Sequence, residues 1–318
     1  MAEERADREP QVDQTVLISL ATRFEAIPYL RALGVRIERI ALDGVRLRVP
    51  YKDENSNPGR ALHGGVAAST IGIAGALAAW TGFRPSPTLE SSTLDLSVNY
   101  LAAAIGEDIV ADARVLRRGK EIVYADVDIR NDGGKAIAKG LVTYRALDRA
   151  QHGQAGARQH EVAPDAVVPA PPAGGGADDV PKLAKAIVSV PFMSRLGLAI
   201  TYMREGRSRI TMPYAAAYGD DGGALHEGAI AALVDTTGAM ASWSITGIDF
   251  RYKASTVGIH VSYHAPAVGE DVVAVGQTLR RNNEIFLNEV AVRGATSNRL
   301  LATGAVTYRI VVPEEQGA

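Results

Sequence analysis

The sequence predicts an α+β protein made of two tandem copies of one unit, each a curled antiparallel β-sheet wrapped round a central α-helix. Three observations predict it. The first is a repeat. One offset, 163, relates Pro28 to Pro191, Gly34 to Gly197, Pro50 to Pro213, Tyr51 to Tyr214, His63 to His226, Trp80 to Trp243, Tyr100 to Tyr263 and Glu121 to Glu284. It slips to 164 only near the end, at Gly140 and Gly304 and at Tyr144 and Tyr308. The second is an apolar helix in each copy, "ALHGGVAASTIGIAGALAAW" from Ala61 and "ALHEGAIAALVDTTGAMASW" from Ala224. The third is a set of four alternating apolar and polar runs after each helix, the pattern of an antiparallel sheet with one buried face.

The elements follow in order. Residues 1–21 read as a charged N-terminal tail with no apolar stretch of the secretory kind. The first unit is placed at 22–147. A short helix ends at "LRALG". Next comes "VRIERIALDGVRLRVPY", which alternates around a turn as a hairpin or a long bent strand does. A Gly-rich loop leads into the central helix, which is apolar on nearly every side and therefore has to be enclosed by the sheet. The runs "STLDLSVNYLA", "DIVADARVLRRG", "EIVYADVDIRND" and "KAIAKGLVTYRAL" supply four strands. Residues 148–184 are rich in Ala, Pro and Gly, lack apolar periodicity and read as a mostly irregular linker. The second unit, 185–312, repeats the first from "MSRLG" onward, and 313–318 form a C-terminal tail.

Bulk properties narrow the function. The chain has 318 residues, 47% of them hydrophobic, and a formal net charge of −2 with both signs interspersed. That balance gives no footprint for nucleic acid or an anionic membrane. With no cysteine, disulfides, thiolate nucleophiles and cysteine-held metals are excluded. No apolar run reaches spanning length without Gly or polar breaks. A cytoplasmic protein with no metal site is expected.

One residue stands out against this background. Asp235 sits in the middle of the second apolar helix, where an uncompensated carboxylate is costly. Its counterpart in the first unit is Gly72. The "HGG" that opens the first helix, the four strands and the "RRGK" hairpin together resemble the hotdog-fold acyl-CoA thioesterases, most of all the phenylacetic-acid-pathway type. The resemblance covers nearly the whole chain, twice, so the chain looks like a double hotdog.

The resemblance implies two units side by side with a continuous sheet, and active sites at the seam near the N-termini of the central helices. The family pattern is N-x5-H-G-G, a carboxylate nine residues after the His, and a hydroxyl residue near the start of the next long strand. Unit one supplies Asn57, His63 and Gly64 but has Gly72 at the acid position. Unit two has Asp220 and Glu227 in place of the Asn and the first Gly beside His226, yet keeps Asp235, with Thr256 at the hydroxyl position and Thr93 as its counterpart. Relatives of this type build each site from two subunits. The resemblance therefore implies one complete site, made of Asn57, His63 and Gly64 with Asp235 and Thr256, and one degenerate site at Asp220, His226 and Glu227.

Those residue types suit thioester hydrolysis. A helix-first Gly64 offers a free N–H, aided by the helix dipole, to a developing oxyanion, and loss of such a donor costs on the order of 3 kcal/mol. Asp235 acts on a water as general base or attacks directly, and the sequence leaves both open. Thr256 orients the water or the acid, and Asn57 and His63 hold the loop or the carbonyl. Arg117, Arg118 and Lys120 offer cations for the phosphates of coenzyme A, which enters only as part of the substrate. Plainer readings stand beside these. The two His occupy one repeat position and suit a shared structural job, "NSNPG" is also an ordinary turn, and a Thr suits any strand. The alternative function is a non-catalytic acyl-CoA or lipid-binding hotdog protein. A hotdog dehydratase or hydratase pairs its His with an acid on a differently placed loop, and that arrangement is not found. A homodimer of double-hotdog chains is expected.

Overall fold

The computed structural model describes residues 14–83, 86, 88–148, 162–171 and 180–312. Two short helices, α1 (Gln14–Ala26) and α2 (Pro28–Leu33), open the first repeat. Proline suits the first turn of α2, and Gly34, at φ 81°, ends it by returning its N–H to Leu30 and Arg31. The hairpin β1 (Arg36–Ala41) and β2 (Gly44–Val49) follows, then the central helix α3 (Gly64–Trp80). Strands β3 (Leu89–Tyr100), β4 (Ile109–Arg118), β5 (Ile122–Asn131) and β6 (Ala136–Asp148) complete the unit. Between the units lie α4 (Pro164–Val167) and α5 (Ala184–Val188). The second repeat comprises α6 (Pro191–Arg195), β7 (Ala199–Arg204), β8 (Arg207–Met212), α7 (Glu227–Thr246), β9 (Lys253–Tyr263), β10 (Val272–Asn282), β11 (Ile285–Gly294) and β12 (Leu300–Val311).

The strands form one twelve-stranded sheet in the order β1-β2-β4-β5-β6-β3-β9-β12-β11-β10-β8-β7. Each half is a hotdog unit, and the halves join where β3 pairs antiparallel with β9. Ser97 faces His260 in that pairing. The two are the same position of the repeat, so a pseudo-twofold axis passes between them. The axis turns each site element of one unit toward the partner elements of the other.

Both central helices are almost wholly buried, which explains their all-round apolar sequence. They cross at glycines. A Cβ on Gly65 would lie 2.5 Å from Ala232 Cβ, and one on Gly228 2.8 Å from Ser69 Cβ. Ser69 Oγ closes the crossing, donating to Gly65 O at 2.6 Å and lying 3.0 Å from Gly228 O.

Helix α1 begins ahead of the expected start of the first unit at 22 and buries Leu17 and Leu20. Within the segment expected to be linker, Val168 packs against Val275 and Ala291 on the outer face of the second half. The remainder of the two expected tails, 1–13 and 313–318, and residues 149–161 and 172–179 of that segment lie outside the described residues. Among the described residues no helix is long and apolar enough to cross a membrane.

Candidate active site

The helix crossing sets Asp235, in the third turn of α7, against the N-terminus of α3. Asp235 is only 4% exposed. A Cβ placed on Gly64 would lie 2.8 Å from Asp235 Oδ2, so glycine is what lets the carboxylate approach the backbone there. Thr256 Oγ1 donates to the other oxygen, Oδ1, at 2.6 Å. Thr256 is aimed inward by a bulge: Tyr308 pairs with Thr256 and Thr307 with Gly258, leaving Val257 as the extra residue. Burial pushes the Asp235 carboxyl up to about 6, against the opposing hydrogen bond from Thr256.

Gly64 is the first residue of α3, so its N–H has no acceptor within the helix. The neighbouring N–H, of Gly65, is taken by His63 Nδ1 at 2.9 Å. Tyr100 OH donates to Gly64 O at 3.1 Å and fixes the same residue from the other side. Asp235, Thr256, Gly64, His63, Asn57 and Tyr100 line one cavity of about 590 Å³. Part of its lining is apolar and aromatic, with Met240, Trp243, Tyr252 and Tyr308. Trp243 stacks on Tyr252 and donates Nε1–H to Tyr308 OH at 3.1 Å. Ala61, Leu62, Ala102 and Ala103 also line the cavity, as do the exposed Leu101 and Phe250.

The histidines act as N-caps. His63 caps α3, is buried and packs against Phe192, and His226 caps α7 and stacks on Tyr29. Burial pushes both rings down to about 4, so each is neutral and accepts at Nδ1. Asn57 lies in the loop before α3, where its own N–H donates to Ala61 O at 2.7 Å and closes the turn.

The second seam has the same frame and different chemistry. Glu227 replaces the helix-first glycine, and its Oε1 accepts the N–H of Thr93 at 3.2 Å across the seam. Burial pushes this carboxyl up to about 7, against the hydrogen bonding from Thr93. Thr93 is 2% exposed, and its hydroxyl, beside Glu227, completes no hydrogen bond of ordinary geometry, while Gly72 stands where the acid that Thr256 meets would be. Glu227 lines two separate cavities, of about 160 and 490 Å³, in the region that forms one cavity at the first seam. Arg23 of α1 lines the smaller of them. Its guanidinium lies 5.3 Å from the Trp80 ring and is ion-paired with Asp221 at 2.6 Å. Ala186 occupies the repeat position of Arg23 and lines the larger, first-seam cavity.

Neither Arg117, Arg118 nor Lys120 lines the first-seam cavity. Arg118 packs over Phe83, donates to Ala79 O at 3.0 Å and is ion-paired with Asp43. Ala79 is fifteen residues along α3 from Gly64, about 22 Å away. Sequence reasoning also passed over Tyr100, visible only as a repeat position, and Arg23, for which nothing local gave a signal. Among the described residues no cluster of His, Asp and Glu is arranged to hold a metal.

Comparison with known proteins identifies the family. The profile of the Thioesterase superfamily matches residues 59–138 and 222–299, once in each repeat. Human acyl-coenzyme A thioesterase 13 is 34% identical over 116 residues, 36% of this chain and 81% of its own length. A hot dog fold protein of unknown function from Alicyclobacillus acidocaldarius superposes with a TM-score of 0.63 at 17% identity, over 92% of this chain and 98% of its own. Acyl-CoA thioesterase II TesB2 from Mycobacterium marinum does so at 0.58 and 14%, over 92% and 99%. At such identities these two structures speak for the fold alone. The profile falling on both repeats and the identity to a single-unit relative carry the assignment: the chain belongs to the thioesterase superfamily, as two hotdog units in tandem.

Proposed function

We propose that the protein hydrolyses acyl-CoA thioesters at one composite site, the first seam. The observation that carries this reading is the pairing of a buried carboxylate on one repeat with a free helix-first N–H on the other, both open to one cavity. The acyl group, aryl or medium-chain, lies against the apolar and aromatic side chains of Met240, Trp243, Tyr252 and Tyr308. The thioester carbonyl oxygen faces the Gly64 N–H. Thr256 holds Asp235 Oδ1, and Oδ2 faces the Gly64 side. Oδ2 therefore takes a proton from a water as its oxygen attacks the carbonyl carbon. Negative charge gathers on the carbonyl oxygen, where the N–H and the N-terminus of α3 oppose it. Collapse breaks the C–S bond, and the coenzyme A thiolate leaves.

His63 and Asn57 act as positioning residues: the first sets the turn that frees the Gly64 N–H, and the second closes the loop that presents it. The second seam is the degenerate site, since it lacks the acid at Gly72 and the Glu227 carboxyl stands beside the helix-first N–H that would be the oxyanion donor.

The test is thiol release from a panel of aryl- and fatty-acyl-CoAs, wild type beside Asp235→Asn. Hydrolysis that falls by orders of magnitude in the variant supports the reading. Equal hydrolysis in both moves the chemistry elsewhere, and acyl-CoA bound without hydrolysis by wild type turns the reading to a carrier. Single turnover in ¹⁸O-water puts the label in the released acid under the general-base route, whereas label in Asp235 with an unlabelled acid marks direct attack followed by hydrolysis at the Asp235 carboxyl carbon.

A further inference from the structure

The larger second-seam cavity, of about 490 Å³, has no part in thioester hydrolysis at the first seam. Its lining is of two kinds. One part is aliphatic, with Leu94, Leu147, Leu225, Ile230 and Leu301. The other part is polar and comes from three places. Glu227 opens α7, and its Oε1 accepts the N–H of Thr93 in β3 at 3.2 Å. Asp220 stands in the loop before α7, near enough for its charge to oppose ionisation of Glu227. Its Oδ1 accepts the N–H groups of Gly222 and Ala224 at 2.8 and 2.9 Å, so the loop fixes this carboxyl in place.

The fold accounts for neither of two features here. Thr93 is buried and lines the cavity, yet its hydroxyl completes no hydrogen bond of ordinary geometry. A valine would fill the same place in the strand without that cost. The second feature is a pair of neighbouring carboxyls with no cation of the chain set against them. Among the described residues that line the cavity the one Lys or Arg is Arg145, which is ion-paired with Glu121 at 3.3 Å. His264 contacts Thr303 Oγ1 at 3.0 Å, and burial lowers its pKa, so it brings no charge near neutrality. The first repeat holds Asn57 and Gly64 at the positions of Asp220 and Glu227, so the acid pair belongs to the second seam alone.

A ligand that answers both features carries a positive charge and several N–H donors, and a primary ammonium has three. Two of them meet the carboxyls and the third the lone pairs of Thr93 Oγ1. The Glu227 carboxyl, raised to about 7, gains most from such a partner, since a cation beside it offsets both its burial and the charge of Asp220. The same pair of acids repels an anionic ligand.

We propose that the second seam is a binding site for an aliphatic primary amine, its ammonium group held by Glu227, Asp220 and Thr93 and its chain lying against the leucines of the cavity. The site is independent of the hydrolase reading, and binding alone reads it out.

The experiment is isothermal titration of the full chain at pH 8, where Glu227 is ionised, with hexylamine, hexan-1-ol and hexanoate as probes. Wild type stands beside Glu227→Gln, Thr93→Val and Asp235→Asn. The expected result is saturable binding of one hexylamine per chain, about tenfold tighter than hexan-1-ol, with hexanoate weaker still. Glu227→Gln is expected to weaken hexylamine about tenfold and Thr93→Val about threefold to tenfold, with little change for hexan-1-ol. Asp235→Asn removes the carboxylate of the other seam and is expected to leave the affinity as it is. Absence of saturable binding, equal affinity for amine and alcohol, affinity for hexylamine unchanged in either second-seam variant, or affinity lost in Asp235→Asn overturns the site. Valine keeps the shape of Thr93, so that variant decides the matter even if Glu227→Gln does not fold.

Discussion

Thr256 donates a 2.6 Å hydrogen bond to Asp235, while its repeat counterpart Thr93 is buried with its hydroxyl unpartnered. The bond opposes the rise in pKa that burial imposes on Asp235. The carboxylate must be ionised to take a proton, so kcat/KM is expected to climb as pH rises through about 6. His63, neutral down to about 4, does not titrate in that window. Thr256→Val removes the donor and keeps the shape. Its pH–rate midpoint is expected to lie about one to two units higher, because a hydrogen bond to a charged group contributes about 1.5–3 kcal/mol. Thr256→Ser restores the wild-type midpoint. A midpoint unmoved by the valine variant removes Thr256 from the charge balance of the site.

Asp235→Asn separates chemistry from folding. The folded carboxyl is raised to about 6 from 3.8. Between those values the folded chain holds more protons than the unfolded one, so stability falls as pH rises across the window, and the penalty is complete above it. The scale is on the order of 2–3 kcal/mol. Asparagine carries no such penalty. The variant is expected to melt higher than wild type at pH 8 and to match it near pH 4, while losing hydrolysis. Thermal denaturation at both pH values checks this, and a variant less stable at pH 8 refutes it.

Much of this arrangement was legible in the sequence. Identities at one offset gave the tandem fold, and the resemblance carried by His63–Gly64 and Asp235 pointed to a shared seam before any coordinates. The unread parts depend on contacts that no local pattern encodes. Arg23 fills the second seam by pairing with Asp221, 198 residues away. His63 caps α3 through its ring nitrogen, a job that sequence habit gives to Ser, Thr, Asp or Asn. The "RRGK" hairpin suggested a phosphate site by composition, but sheet geometry carries it to the C-terminal end of α3, where Arg118 serves Asp43 and Ala79.

The helix crossing is the part of the site least tolerant of added volume. A methyl group on Gly65 would meet both Cβ and Cα of Ala232, at 2.5 and 2.9 Å. Neither can rotate away. Gly65→Ala is expected to cost about 1–3 kcal/mol or more by overpacking, to displace Asp235 from Gly64, and so to lower kcat beyond what lost stability explains. Gly72→Ala is the control, since a Cβ there meets only Leu96 Cδ2 at 3.9 Å. Denaturant melts of the two variants rank the positions, and equal stability would show that the helices can slide apart.

That open space at Gly72 permits a stronger test of the seam. The second site lacks an acid, has an orphaned Thr93 hydroxyl placed where Thr256 stands in the first, and is partitioned by Glu227. Gly72→Asp gives Thr93 an acceptor, and Glu227→Gly restores a bare helix-first N–H and merges the cavities. Placed together in the Asp235→Asn background, the pair is expected to return measurable thioester hydrolysis. Gly72→Asp alone is expected to return far less, because the Glu227 carboxylate stays beside the amide that must receive the oxyanion. Arg23 still lines the cavity of about 160 Å³ that holds Gly72 and Thr93, so the rebuilt site should favour short acyl groups, and adding Arg23→Ala should extend its range to longer ones. Initial rates across a chain-length series read out all three steps. Activity that returns with Glu227→Gly alone would mean the carboxylate at position 72 is not what the second seam lacks.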